Sequence, residues 1–268
     1  TGSVKHLTRQ GGQLTRNHVR SLAEDERGHV WIGTEDGGLF DFDPLTFRAG
    51  NNLEIAGSIA ENKVTALAVG GRGELWVGTI NGLVHCTPGS IPEVLHVADG
   101  LAGEHVTALF KDNAGALWVG CGSEGMSKVV DGKAIPVQLE APYSPTCFTQ
   151  DGEGRIWTGT EGHGVIVLKD GKQVAAYGPD QGLASNSIRS LIVGPKGEIW
   201  AGTNRGLNEW RASTGHWVTY SERSGFIGIE AKPNSAIRAA NGDLWFGTAN
   251  GATSVGPDQG RKNVPPLV

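Results

Sequence analysis

Short apolar segments alternate with glycine-rich turns along most of this chain, and they recur with a nearly constant spacing. The clearest marker is a triplet of apolar residue, tryptophan and apolar or small residue, as in VWI, LWV and IWA. Its tryptophans are Trp31, Trp76, Trp118, Trp157, Trp200 and Trp245. The recurrence every ~43 residues is typical of proteins built from stacked copies of one supersecondary unit.

Each marker lies between two glycines at fixed positions. The glycine three residues before the tryptophan predicts a tight turn that requires a positive φ. The triplet itself predicts a strand buried on both faces. The second glycine follows two residues after the tryptophan, inside this strand, where glycine is ordinarily unfavourable. We therefore expect another backbone or an aromatic ring to approach it closely. Thr follows this glycine in five copies, and Cys121 takes its place in the third.

Further strands flank each marker. The strands VRSLAED from residue 19 and IRSLIVG from residue 188 carry a small residue ten positions before the tryptophan, which predicts that they lie innermost, where strands converge. Segments such as LFDFDP from residue 39 and EVLHVA from residue 93 supply a third and a fourth strand. Four short strands in each complete copy, repeated over six copies, predict an all-β, six-bladed β-propeller with four antiparallel strands per blade.

The copies also predict where each blade lies. The propeller domain is predicted at residues 1–255, with blades at about 17–54, 62–98, 104–139, 143–178, 186–221 and 232–255. The sixth copy ends after its third strand, whereas residues 4–8 match the fourth strands of other copies. We expect these residues to complete blade six and close the ring. Residues 256–268 lie outside the repeat and are predicted to be a tail or linker.

Composition narrows the classes of partner. The 42 glycines among 268 residues fit a protein with many turns, and the net charge of -5 without a basic block argues against a nucleic-acid partner. No apolar run reaches the length of a membrane span. Cys86, Cys121 and Cys147 lack metal-ligand spacing, so we interpret them as small buried apolar residues.

The repeat resembles the two-component regulator propeller repeat of bacterial periplasmic sensor proteins. Residues 62–83 carry it as NKVTALAVGGRGELWVGTINGL, and the resemblance covers residues 4–255. It implies the extracytoplasmic, periplasmic or extracellular sensor domain of a membrane-anchored signalling protein. It also implies a carbohydrate or other small polar ligand, and an adjacent Ig-like domain or second propeller in a longer protein.

A ligand site is predicted on the loops that surround the mouth of the propeller channel. These are the loops leading into each first strand and the loops between second and third strands. The latter are longer and more acidic in blades one, three and four, which predicts an asymmetric polar face. The candidate ligand-binding residues are His18, Glu35, Asp36, Lys63, Glu104, His105, Glu124, Tyr143, Glu161, His163 and Arg205. The alternative for each is a solvated or turn-forming loop residue. Arg20 and Arg189 are predicted either to line the channel or to pair with charges between blades.

Two other function classes remain open at this point. The propeller is alternatively a protein-interaction platform or a homodimer, with Trp210 and Trp217 either exposed for such a surface or for sugar stacking, or packed within blade five. A metal-dependent lyase or lactonase is a further alternative. The chain contains no local metal-spaced motif and no GxSxG, HExxH or P-loop, so we assign no catalytic residue, metal or cofactor.

Overall fold

A computed structural model describes residues 18–35, 37–49, 63–71, 73–221, 226 and 230–256. Within these residues the regular structure is β-strand, apart from short 3₁₀ turns at Val97–Asp99, Gly122–Glu124 and Pro179–Gln181. None of the helical turns in these ranges has the length and hydropathy required to cross a membrane. The chain divides into two compact units. One holds residues up to 136 except 112–114 and 123–126, and the other holds the remainder.

The first unit contains three four-stranded antiparallel sheets, each ordered as its strands follow in the chain. Blade one consists of β1 (Val19–Glu24), β2 (Val30–Thr34), β3 (Gly38–Asp43) and β4 (Arg48–Ala49). Blade two consists of β5 (Val64–Val69), β6 (Leu75–Thr79), β7 (Gly82–Cys86) and β8 (Glu93–Leu95). Blade three consists of β9 (Ala108–Lys111), β10 (Leu117–Gly120), β11 (Met126–Val130) and β12 (Lys133–Pro136).

The second unit repeats this arrangement. Blade four consists of β13 (Pro145–Gln150), β14 (Ile156–Thr160), β15 (Val165–Lys169) and β16 (Lys172–Tyr177). Blade five consists of β17 (Ile188–Val193), β18 (Ile199–Thr203), β19 (Gly206–Arg211) and β20 (His216–Tyr220). Blade six has three described strands, β21 (Ala231–Arg238), β22 (Leu244–Thr248) and β23 (Gly251–Val255).

The chain is a six-bladed β-propeller, as the repeats predict. Within each unit the first strands of successive blades contact one another, which confirms that they are the innermost strands. The tryptophan strand is second in each sheet, with the third strand beyond it. The fourth strand predicted for blade six, at residues 4–8, lies outside the described residues. So does the predicted tail, apart from Gly256.

The glycine that precedes each tryptophan by three residues has the predicted conformation. Its φ lies between +77° at Gly154 and +90° at Gly115 in all six blades. Only glycine adopts this region without steric cost, because a Cβ atom would crowd the neighbouring carbonyl. The tight turn between first and second strands therefore depends on this residue.

The second glycine is approached closely, but by a different group from the one predicted. A Cβ atom added at Gly78 would lie 2.5 Å from Cγ1 of Val106, and one added at Gly159 would lie 2.6 Å from Cγ2 of Ile188. Both partners are aliphatic side chains at the start of the next blade's innermost segment. The expected backbone or aromatic partner was therefore wrong for these blades, where an aliphatic side chain occupies the space beside the missing Cβ.

The innermost strands share an irregularity that no sequence pattern indicated. In blades one, two, four and five the pairing register shifts just after the first residue of the strand. Such a β-bulge re-aims the side chain of the extra residue. The residues at this bulge position are Arg20, Thr65, Thr146 and Arg189. The Thr65 hydroxyl donates to the Val106 carbonyl at 2.6 Å and that of Thr146 to the Ile188 carbonyl at 2.7 Å, so each ties its blade to the next.

Apolar clusters fill the space between successive blades of a unit. Leu39 of blade one packs with Val64, Val77 and Val84 of blade two. Trp157 of blade four packs with Ile188, Ile199 and Trp217 of blade five. The tryptophan strands of the middle blades, two and five, face a neighbouring blade on both sides within their unit, so they are continuous apolar segments rather than alternating ones.

Trp210 and Trp217 belong to one of these clusters. The ring centroids of Trp157 and Trp217 lie 6.3 Å apart, and those of Tyr177 and Trp210 lie 4.4 Å apart. Trp217 retains only 4% of its accessible surface. The hypothesis that Trp217 offers an exposed stacking surface was therefore wrong, and packing within blade five is confirmed for it.

Candidate functional site

The predicted loop set lies at one end of the strands in each blade. The first residue of an innermost strand pairs with the last residue of the tryptophan strand, as in Val19 with Thr34 and Ile188 with Thr203. The loops leading into first strands and those joining second to third strands therefore share one end, which we call the loop face. The joining loops span residues 35–37, 121–125 and 161–164 in blades one, three and four, against 80–81, 204–205 and 249–250 in the others. The predicted difference in loop length is confirmed.

The threonine after the second glycine fixes the start of each joining loop. In blade four the Thr160 hydroxyl donates to the Gly164 carbonyl at 2.8 Å and accepts the His163 N–H at 3.2 Å. The same pair of bonds recurs at Thr34, Thr79, Thr203 and Thr248. The sequence predicts no more for this threonine than its recurrence after the second glycine. Its five-fold recurrence before a turn was the signal that could have revealed the role, since a buried hydroxyl requires partners.

Glu35 is the centre of a charged cluster in the first unit. Its carboxylate accepts from Nε of Arg20 at 3.0 Å and from Nζ of Lys63 at 3.4 Å. The hydrogen bond from Arg20 lowers the pKa of Glu35 below its ordinary value. Of the candidate residues, Glu35 and Lys63 are thus brought together. Among the described residues Arg20 pairs with an acid of its own blade, whereas the sequence predicts either a channel-lining cation or a pair between blades.

Glu161 has the corresponding role in the second unit. One carboxylate oxygen accepts from the Ser187 hydroxyl at 2.9 Å, and the other accepts from NH1 of Arg189 at 3.0 Å. Glu161 and Glu35 both follow the loop threonine, and Ser187 and Lys63 both immediately precede a first strand. The two clusters are therefore built at equivalent repeat positions. The difference is that Arg189 reaches back to the acid of the preceding blade.

Tyr143 and His163 contact each other beside this second cluster. Their ring centroids are 5.2 Å apart at an interplanar angle of 74°, an edge-to-face arrangement. Tyr143 is buried, and its hydroxyl accepts a hydrogen bond from Gln173 at 3.4 Å. His163 is exposed. Of these two candidates, His163 has the exposed ring, and the buried ring of Tyr143 packs against it.

The remaining candidates are not gathered into these clusters. Glu104 accepts the Val97 N–H at 3.0 Å and contacts Nδ1 of His96 at 2.9 Å. Burial acts to raise the pKa of Glu104, but these hydrogen bonds outweigh it and leave the pKa lowered. Glu124 accepts from the neighbouring Ser123 hydroxyl at 2.7 Å. His18, His105 and Arg205 are exposed on the loop face, and Asp36 lies outside the described residues.

The opposite end of the strands carries a second polar motif. Asp151 opens the turn before Trp157, and its buried carboxylate accepts from the indole N–H at 2.7 Å and from Nε of Arg155 at 2.6 Å. Burial acts to raise the pKa of Asp151, but these bonds outweigh it and leave the pKa below its ordinary value. The motif is structural, because every carboxylate partner belongs to the same blade.

Burial governs the chemistry of Cys86 and Cys147. Burial raises the pKa of Cys86 to about 11 and that of Cys147 to about 12, so both resist ionisation near neutral pH. Among the described ranges, no three His, Cys, Asp or Glu side chains come together as a metal site would require.

Comparison with known proteins agrees with the repeat pattern. A model described as "Two component regulator propeller" matches residues 13–36, 100–123 and 182–205. Histidine kinase P4 from Formosa agariphila is 30% identical over 78 residues, which is 29% of this chain and 6% of that protein.

Solved structures share the fold at low identity. The extracellular domain of the hybrid two-component system BT3049 from B. thetaiotaomicron matches 91% of this chain with a TM-score of 0.79 and 20% identity. Virginiamycin B lyase from Staphylococcus aureus matches 96% of this chain with a TM-score of 0.75 and 15% identity. The chain covers 34% of the first structure and 87% of the second. At these identities the likeness shows the propeller fold alone. Three of its repeats are similar to the two-component regulator propeller repeat.

Proposed function

We propose that this propeller is an extracytoplasmic ligand-sensing domain of a two-component signalling protein. The observation that carries the proposal is the match of three repeats to the two-component regulator propeller model. The relative that matches 78 residues of this chain is a histidine kinase. One structure with the same fold is the extracellular domain of a hybrid two-component system. The proposal extends to a small polar ligand held by hydrogen bonds at the loop face. The membrane anchor and an adjacent Ig-like domain or second propeller belong to the same proposal.

The loop face supports binding better than catalysis. Glu35 and Glu161 are each paired with cationic or hydroxyl donors, so neither stands as an isolated acid or base. Proton transfer needs a titrating group with access to a substrate atom, whereas recognition of a polar ligand needs an array of fixed donors and acceptors. We therefore favour a non-enzymatic sensor over the lyase alternative, although the lyase shares the fold.

The test is ligand binding by the intact chain. Thermal melts and calorimetric titrations with neutral and acidic oligosaccharides are expected to identify at least one ligand that raises the melting temperature with a saturable dependence on concentration. Binding of no compound, together with a concentration-dependent change of oligomeric state, would instead support the interaction platform. Turnover of virginiamycin B would support the lyase alternative and contradict the proposal.

A further inference from the structure

Asparagine is followed directly by glycine at three positions of the chain, and this pair is chemically reactive. The three pairs are Asn81–Gly82, Asn241–Gly242 and Asn250–Gly251. The backbone nitrogen of the glycine attacks the side-chain carbonyl carbon of the asparagine, ammonia leaves with the N–H proton, and a succinimide ring forms. Water then opens either carbonyl–nitrogen bond of the ring and yields aspartate or isoaspartate. Glycine favours the attack because it lacks a Cβ atom that would obstruct ring closure.

The joining loops of blade two and blade six hold two of these pairs in the same position. In blade two the Thr79 hydroxyl accepts the Asn81 N–H at 3.0 Å and donates to the Gly82 carbonyl at 2.9 Å. In blade six the Thr248 hydroxyl makes the same two bonds, at 3.2 and 3.0 Å. Both asparagines are exposed. The two loops therefore fix the asparagine in the same way, and each is a reference for the other.

The glycines of these two pairs differ in burial. Gly82 is buried, and its N–H donates to the Glu104 carbonyl of blade three at 2.8 Å. Gly251 is exposed, whereas the other glycines that begin a third strand are buried, namely Gly38, Gly82 and Gly206. Blade six is the last blade of its unit. Among the described residues of that unit, no later blade therefore offers Gly251 a carbonyl like that of Glu104.

Burial and hydrogen bonding of the glycine control the reaction, because its nitrogen is the attacking atom. A buried N–H that donates to a carbonyl must break this bond before the nitrogen turns toward the side chain, and Gly82 meets this obstacle. The third pair meets another one. The Asn241 side-chain amide donates to the Asp243 carboxylate at 2.8 Å, and its oxygen accepts the Asp243 N–H at 3.1 Å. Of the three pairs, all within the described residues, the pair in blade six alone combines an exposed asparagine with an exposed glycine.

We infer that Asn250 is a modification site at which the chain itself converts asparagine to aspartate or isoaspartate. The reaction consumes only water, and it does not depend on which ligand the loop face binds. The product adds a carboxylate to the loop face of blade six, in the loop whose Ala249 N–H donates to the Glu230 carbonyl at 3.1 Å. Isoaspartate also carries the backbone through the former side chain and lengthens it by one methylene group. The lengthened loop no longer fits both bonds of the Thr248 hydroxyl.

The test compares these pairs within one protein. The intact chain is incubated at mildly alkaline pH, and peptide mapping by mass spectrometry follows the exchange of ammonia for water at each asparagine. In the folded chain Asn250 is expected to convert about tenfold faster than Asn81, the ratio that corresponds to the loss of one backbone hydrogen bond. The same chain unfolded in guanidinium chloride is the control, because unfolding exposes every pair equally. There the two asparagines are expected to convert at similar rates.

Two glutamine variants separate the site from its counterpart in blade two. Asn250→Gln keeps an amide but lengthens the side chain, so it is expected to remove most of the ammonia released by the folded chain, whereas Asn81→Gln is expected to leave the release unchanged. Prolonged incubation is expected to lower the melting temperature of the parent protein but not that of Asn250→Gln. Equal conversion of Asn81 and Asn250 in the folded chain overturns the inference, and so does an Asn250 that stays intact while the unfolded chain converts. Either result leaves the sensor function standing.

Discussion

A side chain of the next blade enters beside the glycine that follows the tryptophan by two residues, as at Gly33, Gly78, Gly159 and Gly202. At Gly159 an added Cβ would lie 2.6 Å from both Sγ of Cys147 and Cγ2 of Ile188. Contacts this short force neighbouring atoms to move, and packed interiors yield only at a cost. The sequence predicted that something approaches this glycine because the residue recurs mid-strand. It did not identify the partner, since Ile188 is 29 residues further along the chain and no local pattern links them.

Gly159→Ala is therefore expected to destabilise the protein by about 1–3 kcal/mol through overpacking. Gly152→Ala is the matched control in the same blade. Nothing lies within 4 Å of a Cβ placed there, so its effect is expected to be close to zero. Urea unfolding of both variants measures the difference, and equal midpoints would contradict the close-packing argument.

The loop threonine gives a second test with an internal control on one strand. Thr160→Val removes the hydroxyl that bonds Gly164 and His163, and is expected to lower the free energy of unfolding by about 1–2 kcal/mol. Thr158, two residues earlier, is equally buried, but its hydroxyl has no partner among the described residues. Thr158→Val is expected to be neutral or stabilising, because it relieves an unsatisfied group. Unfolding curves in which Thr158→Val costs as much as Thr160→Val would reject this role for the threonine.

At the scale of the element, strand identity was more predictable than the contacts at strand ends. The predicted first strand from residue 19 and third strand from residue 39 closely match β1 and β3. The fourth strand from residue 93 ends earlier than expected, at Leu95, because a 3₁₀ turn begins at Val97. Strand burial is encoded in apolar residues that recur six times. The β-bulges and the different partners of Arg20 and Arg189 depend on single residues in adjacent blades. No repeated sequence pattern therefore predicts them.

The turn between first and second strands makes stability depend on pH. The pKa of Asp151 is lowered in the folded protein, so its contribution is present above the unfolded pKa, which is ~3.9, and is lost as the pH falls through the folded value. Asp151→Asn is expected to reduce stability at pH 7 by about 1–3 kcal/mol. One carboxylate oxygen accepts from the side chains of Trp157 and Arg155 and the other from the backbone N–H groups of Glu153 and Arg155, whereas an amide has only one acceptor oxygen. It is also expected to flatten the decline in stability between about pH 5 and pH 2.

Asp170→Asn provides the control for this change. Asp170 is an exposed turn residue of the same blade with a φ of 52°, a conformation that asparagine tolerates. Urea midpoints measured across the acid range are expected to coincide for this variant and the parent protein. If Asp151→Asn declines as steeply as the parent protein, the acid sensitivity arises elsewhere.

At the scale of the whole molecule, six copies of one repeat specify the propeller, while the differences between copies specify the loop face. The fold was predictable because each core position recurs in the six copies of the repeat. The candidate site was less predictable, because equivalent acids have different partners. Glu35 pairs with an arginine of its own blade, whereas Glu161 pairs with an arginine of the next blade. In blade five the position after the loop threonine holds Asn204, an uncharged amide where blades one and four have a carboxylate.

Closure of the ring is the remaining property of the whole molecule that the sequence predicts. β23 has one strand neighbour among the described residues, and residues 4–8 match the fourth strands of other blades. An unpaired strand edge leaves backbone donors and acceptors without partners and weakens a repeat array at its end. Deleting residues 1–8 is therefore expected to lower the melting temperature by several degrees and broaden the transition, corresponding to a loss of ~2–4 kcal/mol. Deleting residues 257–268, outside the repeat, is expected to leave the melt unchanged. Because both deletions remove a terminal segment, equal effects in a thermal melt monitored by circular dichroism would show that residues 4–8 do not complete blade six.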